Sequence, residues 1–125
     1  MKTIIQNGTI VTATDTYAAD ILVAADKIAL IGKGLPTEGA KVIDAKGKRV
    51  YPGAIDVHTH LDMPFMGTIS SDDFETGTTA AACGGTTSII DFALQGKGQS
   101  LQAAVDTWMA KAKGKAVIDY GFHVG

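Results

Sequence analysis

The sequence has little cysteine, and this shortage limits both where the protein works and what chemistry it performs. Cys83 is the only cysteine among 125 residues, so no internal disulfide can form. A reducing cytoplasm is therefore the expected location. The neighbouring Ala81 and Ala82 predict that Cys83 is a small buried residue on a helix. No histidine or basic residue lies nearby in the sequence to activate it, so a reactive thiol is not expected.

Clustered positive charge and long apolar runs are also missing. The chain has 11 Lys and Arg against 13 Asp and Glu, and the basic residues are scattered. A nucleic-acid surface would need them on one face, so no nucleic-acid partner is expected. No apolar run reaches the roughly 20 residues of a membrane span. The segment 1–8 also turns polar too early for a secretory signal. No membrane partner is expected.

The residues that are present describe a globular chain. Hydrophobic residues make up 46% of the sequence and charged residues 19%, which excludes a disordered tail. A length of 125 residues is enough for a real core.

Residues 1–50 are predicted to form short strands separated by tight turns. The dipeptide Asn7-Gly8 lies between two β-branched segments and predicts a hairpin. Further turns are predicted at Ala25-Asp26 and Lys46-Gly47. Strands at this spacing indicate a small antiparallel sheet or half of a β-sandwich.

After Tyr51 the pattern alternates between strand and helix. Asp72 is predicted to cap a first helix, with Glu75 completing a capping box, and Gly84-Gly85 to end it. Ser100 is predicted to cap a second helix, which carries a continuous apolar stripe and ends at Gly114.

Three strands accompany these two helices. They are predicted at the segment leading to His60, at 86–92 and at 115–124. Because helical crossovers join them, we expect a parallel sheet with right-handed connections.

The most informative segment is Pro52-Gly53-Ala54-Ile55-Asp56-Val57-His58-Thr59-His60. Side chains at positions i and i+2 of a strand leave the same face, with Cα atoms roughly 7 Å apart. His58 and His60 can therefore lean toward one metal ion at about 2.0–2.1 Å from each nitrogen. They are the candidate metal ligands.

Other polar residues near this pair have alternative roles. Asp56 shares the strand parity of the two histidines, and its carboxylate can either orient a ligand or accept hydrogen bonds from backbone amides. Asp62 is interpreted as a solvated or loop-capping residue. Asp91 ends the second strand and is expected to bond loop backbone. His123 is interpreted as a packed or hydrogen-bonded strand histidine.

Two motifs carry a resemblance to a known family. The first is the segment 52–65, which extends the histidine pair through Leu61-Asp62-Met63-Pro64-Phe65. The second is the segment 73–87, followed by Asp91-Phe92-Ala93. The chain resembles the dihydropyrimidinase and D-hydantoinase branch of the amidohydrolase superfamily. The resemblance runs from Met1 to the end of the chain.

This resemblance implies a fold and a metal centre. The fold is α/β: a β-sandwich portion in 1–50 and the first three strands of a (β/α)₈ TIM-type barrel in 51–125. The metal centre holds two zinc ions bridged by a hydroxide, and His58 and His60 bind the more buried ion. The bridging carboxylated lysine, two further histidines and an aspartate belong to later strands, outside this chain.

The resemblance also implies an activity. The expected reaction opens a dihydropyrimidine or 5-substituted hydantoin ring to an N-carbamoyl amino acid, with Met63 and Phe65 contacting the substrate. Dihydroorotases and many allantoinases have an arginine just after the histidine pair, whereas Leu61-Asp62 stands here, which favours an uncharged ring. An allantoinase-type hydrolase of cyclic ureides and a non-catalytic dihydropyrimidinase-like scaffold stay as alternatives. A homotetramer or homodimer is the expected assembly.

The chain is too short for the whole enzyme. A barrel takes about 250 residues, and 75 follow Val50. Within 1–125 we find no candidate general acid or base, and Lys111, Lys113 and Lys115 are interpreted as solvated cations. We therefore expect the N-terminal piece of a larger hydrolase that is inactive on its own.

Overall fold

The chain divides into two units in the computed structural model, which describes residues 1–125. The first unit is Met1–Pro52 and the second is Gly53–Gly125. Together they contain twelve strands and two helices, so the prediction of a mixed α/β chain is confirmed.

The first unit consists of strands in two sheets. Its strands are β1 (Lys2–Gln6), β2 (Thr9–Val11), β3 (Thr16–Ala18), β4 (Asp20–Ala24), β5 (Lys27–Gly32), β6 (Ala40–Asp44) and β7 (Arg49–Val50). One sheet has the order β5-β4-β1-β6 and the other β3-β2-β7. Each sheet mixes antiparallel and parallel pairs, because β1 runs parallel to β6 and β2 runs parallel to β7. Of the two alternatives expected from sequence, the small antiparallel sheet was therefore wrong, and half of a β-sandwich stays a prediction.

One predicted turn joins a hairpin. Strands β4 and β5 pair antiparallel around Ala25-Asp26. Both turn residues are left-handed, with φ of 48° and 63°. Positive φ at both central residues is what a type I′ turn requires, and this turn matches the twist of the flanking strands.

The hairpin predicted at Asn7-Gly8 was wrong. Strands β1 and β2 lie in different sheets, so the dipeptide carries the chain from one sheet to the other. At Gly8 a Cβ atom would lie 2.7 Å from Cγ2 of Val50, and the side-chain amide of Asn7 donates to Oδ1 of Asp44 at 2.9 Å. The Asn7 bond is the main cause of a lowered pKa at Asp44. Contacts distant in sequence thus override the local hairpin signal.

The bend at Asn7-Gly8 has a counterpart in the neighbouring strands. Strand β6 continues into β7 across the turn that contains Lys46-Gly47, and again the two strands lie in different sheets. The two bends run side by side, since the Ala45 amide donates to the Gln6 carbonyl and the Thr9 amide to the Lys48 carbonyl. Strands β3 and β4, separated by one residue, also divide between the two sheets.

The second unit alternates strands with helices. Its elements are β8 (Ala54–Thr59), β9 (Pro64–Phe65), β10 (Thr68–Ile69), α1 (Phe74–Gly84), β11 (Thr86–Ala93), α2 (Leu101–Ala112) and β12 (Asp119–Val124). Strands β8, β11 and β12 form a parallel sheet in the order β12-β11-β8, as the alternation predicts. The small hairpin of β9 and β10 was not predicted.

The core of the second unit lies between the two helices and the parallel sheet. Phe74 at the start of α1 is fully buried, and its ring packs edge-on against that of Phe122 with centroids 6.2 Å apart. On α2 the buried positions recur every four residues, which is the period of one helix face. The whole core of this unit consists of Phe74, Ile89, Ala93, Ala104, Trp108 and Ala112.

Helix boundaries follow the predicted signals with one shift. Ser100 caps α2 as predicted. Helix α1 is capped by Asp73 rather than Asp72, and Thr76 takes the reciprocal position predicted for Glu75. The hydrogen bond from the Thr76 amide, followed by the contact with Lys115, lowers the pKa of Asp73. Gly85 ends α1 with φ of 92°, a left-handed conformation that glycine adopts without strain.

Two further expectations fail in this unit. Cys83 is exposed on α1 rather than buried, because it faces away from the core residues. The last strand begins at Asp119 rather than at residue 115. The Val117 amide instead donates to the hydroxyl of Thr78 on α1, which holds this segment against the helix. Neither helix has both the length and the apolar character needed to cross a membrane.

Candidate metal centre

The two candidate ligands lie at the carboxyl end of β8. His58 belongs to the strand and His60 follows one residue after its end. Their Nε2 atoms are 3.1 Å apart, and the ring planes are almost perpendicular, at 88°. The pair is exposed, which leaves the nitrogens accessible to a ligand.

This spacing fits two ligands of one metal ion. With bonds of about 2.05 Å, nitrogens 3.1 Å apart subtend about 98° at the ion, near the tetrahedral angle that zinc prefers. Neutral imidazole is a common ligand for zinc and related divalent ions. The same distance also suits a hydrogen bond between one protonated and one unprotonated nitrogen. In both arrangements the two nitrogens converge on one point.

The chain segment that leads into β8 depends on a close contact at Gly53. A Cβ atom there would lie 2.1 Å from Oγ1 of Thr87 on β11. Glycine thus allows the chain entering β8 to run against β11. The carbonyl of Gly85 accepts from the Ala54 amide and ties the same point to the end of α1.

Phe92 on β11 forms an aromatic surface beneath the histidines. Its ring centroid lies 4.6 Å from that of His58 and 5.2 Å from that of His60. His123 on β12 packs against the same ring at 4.9 Å. No role was predicted for Phe92 from the sequence. The signal was available, because parallel strands of equal parity bring alternate side chains to one face.

His123 forms a hydrogen bond with backbone and not with the histidine pair. Its Nε2 is 3.1 Å from the carbonyl oxygen of Val57, which can only accept a hydrogen bond. This nitrogen is therefore the donor, and the ring is held as a hydrogen-bonded strand histidine, in line with the interpretation from sequence.

Asp91 is fully buried next to the pair. Its Oδ2 accepts from the hydroxyl of Thr59 and from the amide of Leu61, each at 2.8 Å. Its Oδ1 accepts from the amide of Phe92, also at 2.8 Å. The predicted hydrogen bond to loop backbone is therefore present. The bond to Thr59 holds the residue that lies between the two histidines in the sequence.

The other two carboxylates bond main chain or a lysine. Asp56 accepts from the amide of His58 at 3.1 Å, so of its two possible roles the bond to backbone is the one observed. Asp62 has a left-handed φ of 48°. Its carbonyl accepts from Nζ of Lys111, and its Oδ1 lies 3.8 Å from the same nitrogen. The interpretation of Lys111 as a solvated cation was wrong, because the turn after His60 lies within its reach.

The hairpin that follows contains both predicted substrate contacts. Met63 is partly buried against the core, and its amide donates to Oγ of Ser70 at 2.8 Å. Phe65 on β9 is 57% exposed. The two residues thus differ: Met63 belongs to the base of the hairpin, and Phe65 presents its ring to solvent.

His58 and His60 form a pair without a third ligand from this chain. No group of three or more His, Cys, Asp or Glu side chains is placed to hold a metal. A cavity of about 290 Å³ lies in the first unit and is lined by residues such as Asn7, Asp20 and Lys33. It contains no imidazole or thiol, so we place the candidate site at the end of β8.

Comparison with known families identifies the second unit. The amidohydrolase family model matches residues 49–125. The chain belongs to the amidohydrolase family. Proteins of this family generally bind a metal ion, and the converging imidazoles of His58 and His60 fit that property.

Individual relatives narrow the resemblance to the branch expected from sequence. The chain is 64% identical to D-hydantoinase of Geobacillus stearothermophilus, over 99% of this chain and 26% of that protein. It is 49% identical to dihydropyrimidinase of Dictyostelium discoideum, over 97% of this chain and 24% of that protein. The chain thus spans about a quarter of the length of the curated relatives it matches. The predicted resemblance is confirmed.

Solved structures agree with this assignment. A crystal structure of D-hydantoinase matches with a TM-score of 0.97 at 64% identity, over 99% of this chain and 27% of that one. Dihydropyrimidinase from Brevibacillus agri NCHU1002 matches with a TM-score of 0.97 at 61% identity, with the same coverage. A dihydroorotase matches at 16% identity with a TM-score of 0.65, which shows similarity of fold alone.

Proposed function

We propose that this chain is the N-terminal part of a metal-dependent cyclic amide hydrolase of the dihydropyrimidinase and D-hydantoinase type. The reaction would open a dihydropyrimidine or 5-substituted hydantoin ring to an N-carbamoyl amino acid. One observation carries the proposal: His58 and His60 converge at the carboxyl end of a parallel strand in a chain whose relatives bear these names. Active sites of barrel enzymes lie at this end of the strands.

The same proposal assigns a larger architecture to the two units. Residues 51–125 would supply the first three strands of a (β/α)₈ barrel, to which β8, β11 and β12 correspond. Residues 1–50 would supply part of a β-sandwich. Strand β8 is exposed along most of its length, which is consistent with further strands and helices covering it. We further propose a cytoplasmic location and a homotetramer or homodimer.

His58 and His60 would hold one of two zinc ions through their Nε2 atoms. When bound, zinc lowers the pKa of a coordinated water toward 7 and polarises the substrate carbonyl. The contribution of this chain is to hold the two nitrogens at a fixed separation on a rigid strand. A bridging carboxylated lysine and the remaining ligands would come from sequence beyond this chain.

Substrate contacts would come from the hairpin after β8. Met63 at its base and Phe65 at its exposed face would pack against the ring substituent. Apolar side chains bind such a substituent by removing its surface from water. Leu61 and Asp62, adjacent to the pair, offer no cation for a substrate carboxylate, which favours an uncharged ring.

We assign no general acid or base to residues 1–125. Asp91 is the buried carboxylate nearest the pair, and both of its oxygens already accept hydrogen bonds. With two metal ligands and no free acid or base, residues 1–125 alone are expected to bind zinc weakly and to show no turnover.

Metal analysis and ring-opening assays test the proposal on the protein that carries this chain. We expect close to two zinc ions per subunit and hydrolysis of dihydrouracil and hydantoin but not allantoin. Hydrolysis of allantoin alone would favour the allantoinase alternative. A protein with neither metal nor turnover would favour the non-catalytic scaffold.

A matched pair of variants tests the ligands themselves. His58→Asn should lower the zinc content and abolish ring opening. His123→Asn should keep the zinc, because the His123 ring nitrogen bonds a backbone carbonyl instead. Equal zinc loss in both variants would contradict the assignment of the pair.

A further inference from the structure

We propose that Asp91 is a positioning residue that fixes the separation of the two histidines through the backbone around them. The proposal rests on the proposed metal site, since it concerns how that site is held in place. Asp91 touches neither imidazole by hydrogen bond. It acts through the residue between the histidines and the residue after them.

Asp91 on β11 holds the end of the neighbouring strand β8 through Thr59 and Leu61, and we call these contacts the clamp. Oδ2 of Asp91 accepts from Oγ1 of Thr59 and from the amide of Leu61, both at 2.8 Å. These donors flank His60 on both sides. One oxygen atom thus holds the Thr59 side chain before the second histidine and the Leu61 backbone after it, where β8 has just ended.

The clamp is needed because His60 lies beyond the regular hydrogen bonding of its strand. The register between β8 and β11 already shifts between Ile89 and Asp91, where Asp91 pairs with Thr59. A chain without ladder bonds at this point would fray, and the two ring nitrogens would separate. Charge-assisted bonds to a buried carboxylate are among the stronger protein hydrogen bonds.

A carboxylate satisfies this position in a way that an amide cannot. Oδ1 accepts from the Phe92 amide while Oδ2 accepts from two donors, so all three contacts need acceptors. An asparagine has one acceptor oxygen and one NH₂ group. In either orientation, at least one buried donor would face another donor.

The test compares three variants and one stability control of the protein that carries this chain. Asp91→Asn breaks the clamp at constant size. Thr59→Val removes one donor and keeps the β-branched shape, and Thr59→Ser keeps the hydroxyl. Thr78→Val is the stability control, because it also removes a buried hydroxyl, in this case one on α1 that bonds Phe74 and Val117.

Two measurements report on the pair. The first is the affinity for Co²⁺, with the visible spectrum of the bound ion. We expect Asp91→Asn to lose about 10–100-fold in affinity and to change the spectrum, as variants of residues that orient ligands do. Thr59→Val should lose less, Thr59→Ser should retain wild-type affinity, and Thr78→Val should lower the melting temperature without changing the spectrum.

The second measurement is made without metal and records the imidazole ¹⁵N resonances. Asp91→Asn and Thr59→Val should shift the signals of His58 and His60 more than that of His123. Unchanged His58 and His60 signals in both variants would overturn the inference, as would equal loss of Co²⁺ affinity in Thr78→Val. Failure of the wild-type protein to bind metal would instead contradict the proposed function, and the metal-free spectra would still decide the role of Asp91.

Discussion

Lys111 offers a direct test of how the hairpin after the histidine pair is held. Its Nζ donates to the Asp62 carbonyl, lies 3.8 Å from the Asp62 carboxylate and sits 4.6 Å from the centre of the Trp108 ring. Lys111→Met removes the charge and the donor but keeps a long apolar side chain. We expect the turn at Asp62 to lose its attachment to α2 while the helix itself remains.

The magnitude follows from the three contacts. A hydrogen bond from a charged donor is worth about 1.5–3 kcal/mol, a partly exposed ion pair up to about 1, and a cation–π contact about 0.5–1. They share one ammonium group and are not additive. A loss near 2 kcal/mol is expected, which corresponds to about 30-fold more frequent local opening.

Amide hydrogen exchange in the full-length protein measures this opening. The reporters are the amides of Asp62, Met63 and Ser70, which bond within the hairpin and its base. Lys113→Met is the matched control, because Lys113 is exposed at the end of the same helix. If Lys111→Met accelerates these amides no more than Lys113→Met does, the proposed anchoring by Lys111 is wrong.

Three further predictions concern the second unit. Gly53→Ala should destabilise by about 1–3 kcal/mol through overpacking on Thr87, and a second substitution, Thr87→Ala, should restore part of the loss in a denaturant titration. Phe74→Ala should cost about 3–5 kcal/mol because the ring is fully buried; a loss below 1 kcal/mol would contradict its place in the core. The pKa of Asp73 is lowered from 3.8 by its hydrogen bond from Thr76, so its stabilisation of α1 is complete above that pH and is lost as the pH falls through the lower folded value. A titration midpoint for Asp73 above 3.8, recorded by NMR, would refute this.

Local signals in the sequence were enough for the elements that carry the site. Strand parity placed His58 and His60 on one face, and Ser100 and Gly85 marked helix ends by capping rules that depend on near neighbours. The resemblance quoted for residues 52–65 and 73–87 was confirmed by the relatives. Whether the pair binds metal stays a prediction.

Contacts between distant residues decided the features that were missed. The bend at Asn7-Gly8 depends on Ala45 and Val50, and nothing in the dipeptide itself distinguishes a sheet change from a hairpin. Lys111 and Asp62 are 49 residues apart. The β9–β10 hairpin turns at Met66-Gly67 with φ of 47° and 81°. Methionine rarely adopts a positive φ, so these residues did not indicate a turn.

The bends that pass between the two sheets of the first unit have a mechanical consequence. The backbone passes from one sheet to the other between β1 and β2 and again between β6 and β7, and these two connections lie side by side. Displacing one sheet would therefore strain the backbone that continues into the other. We expect this unit to melt in a single cooperative step. A cut or insertion at the bends would uncouple the two layers, whereas one at the Ala25-Asp26 tip would leave them joined.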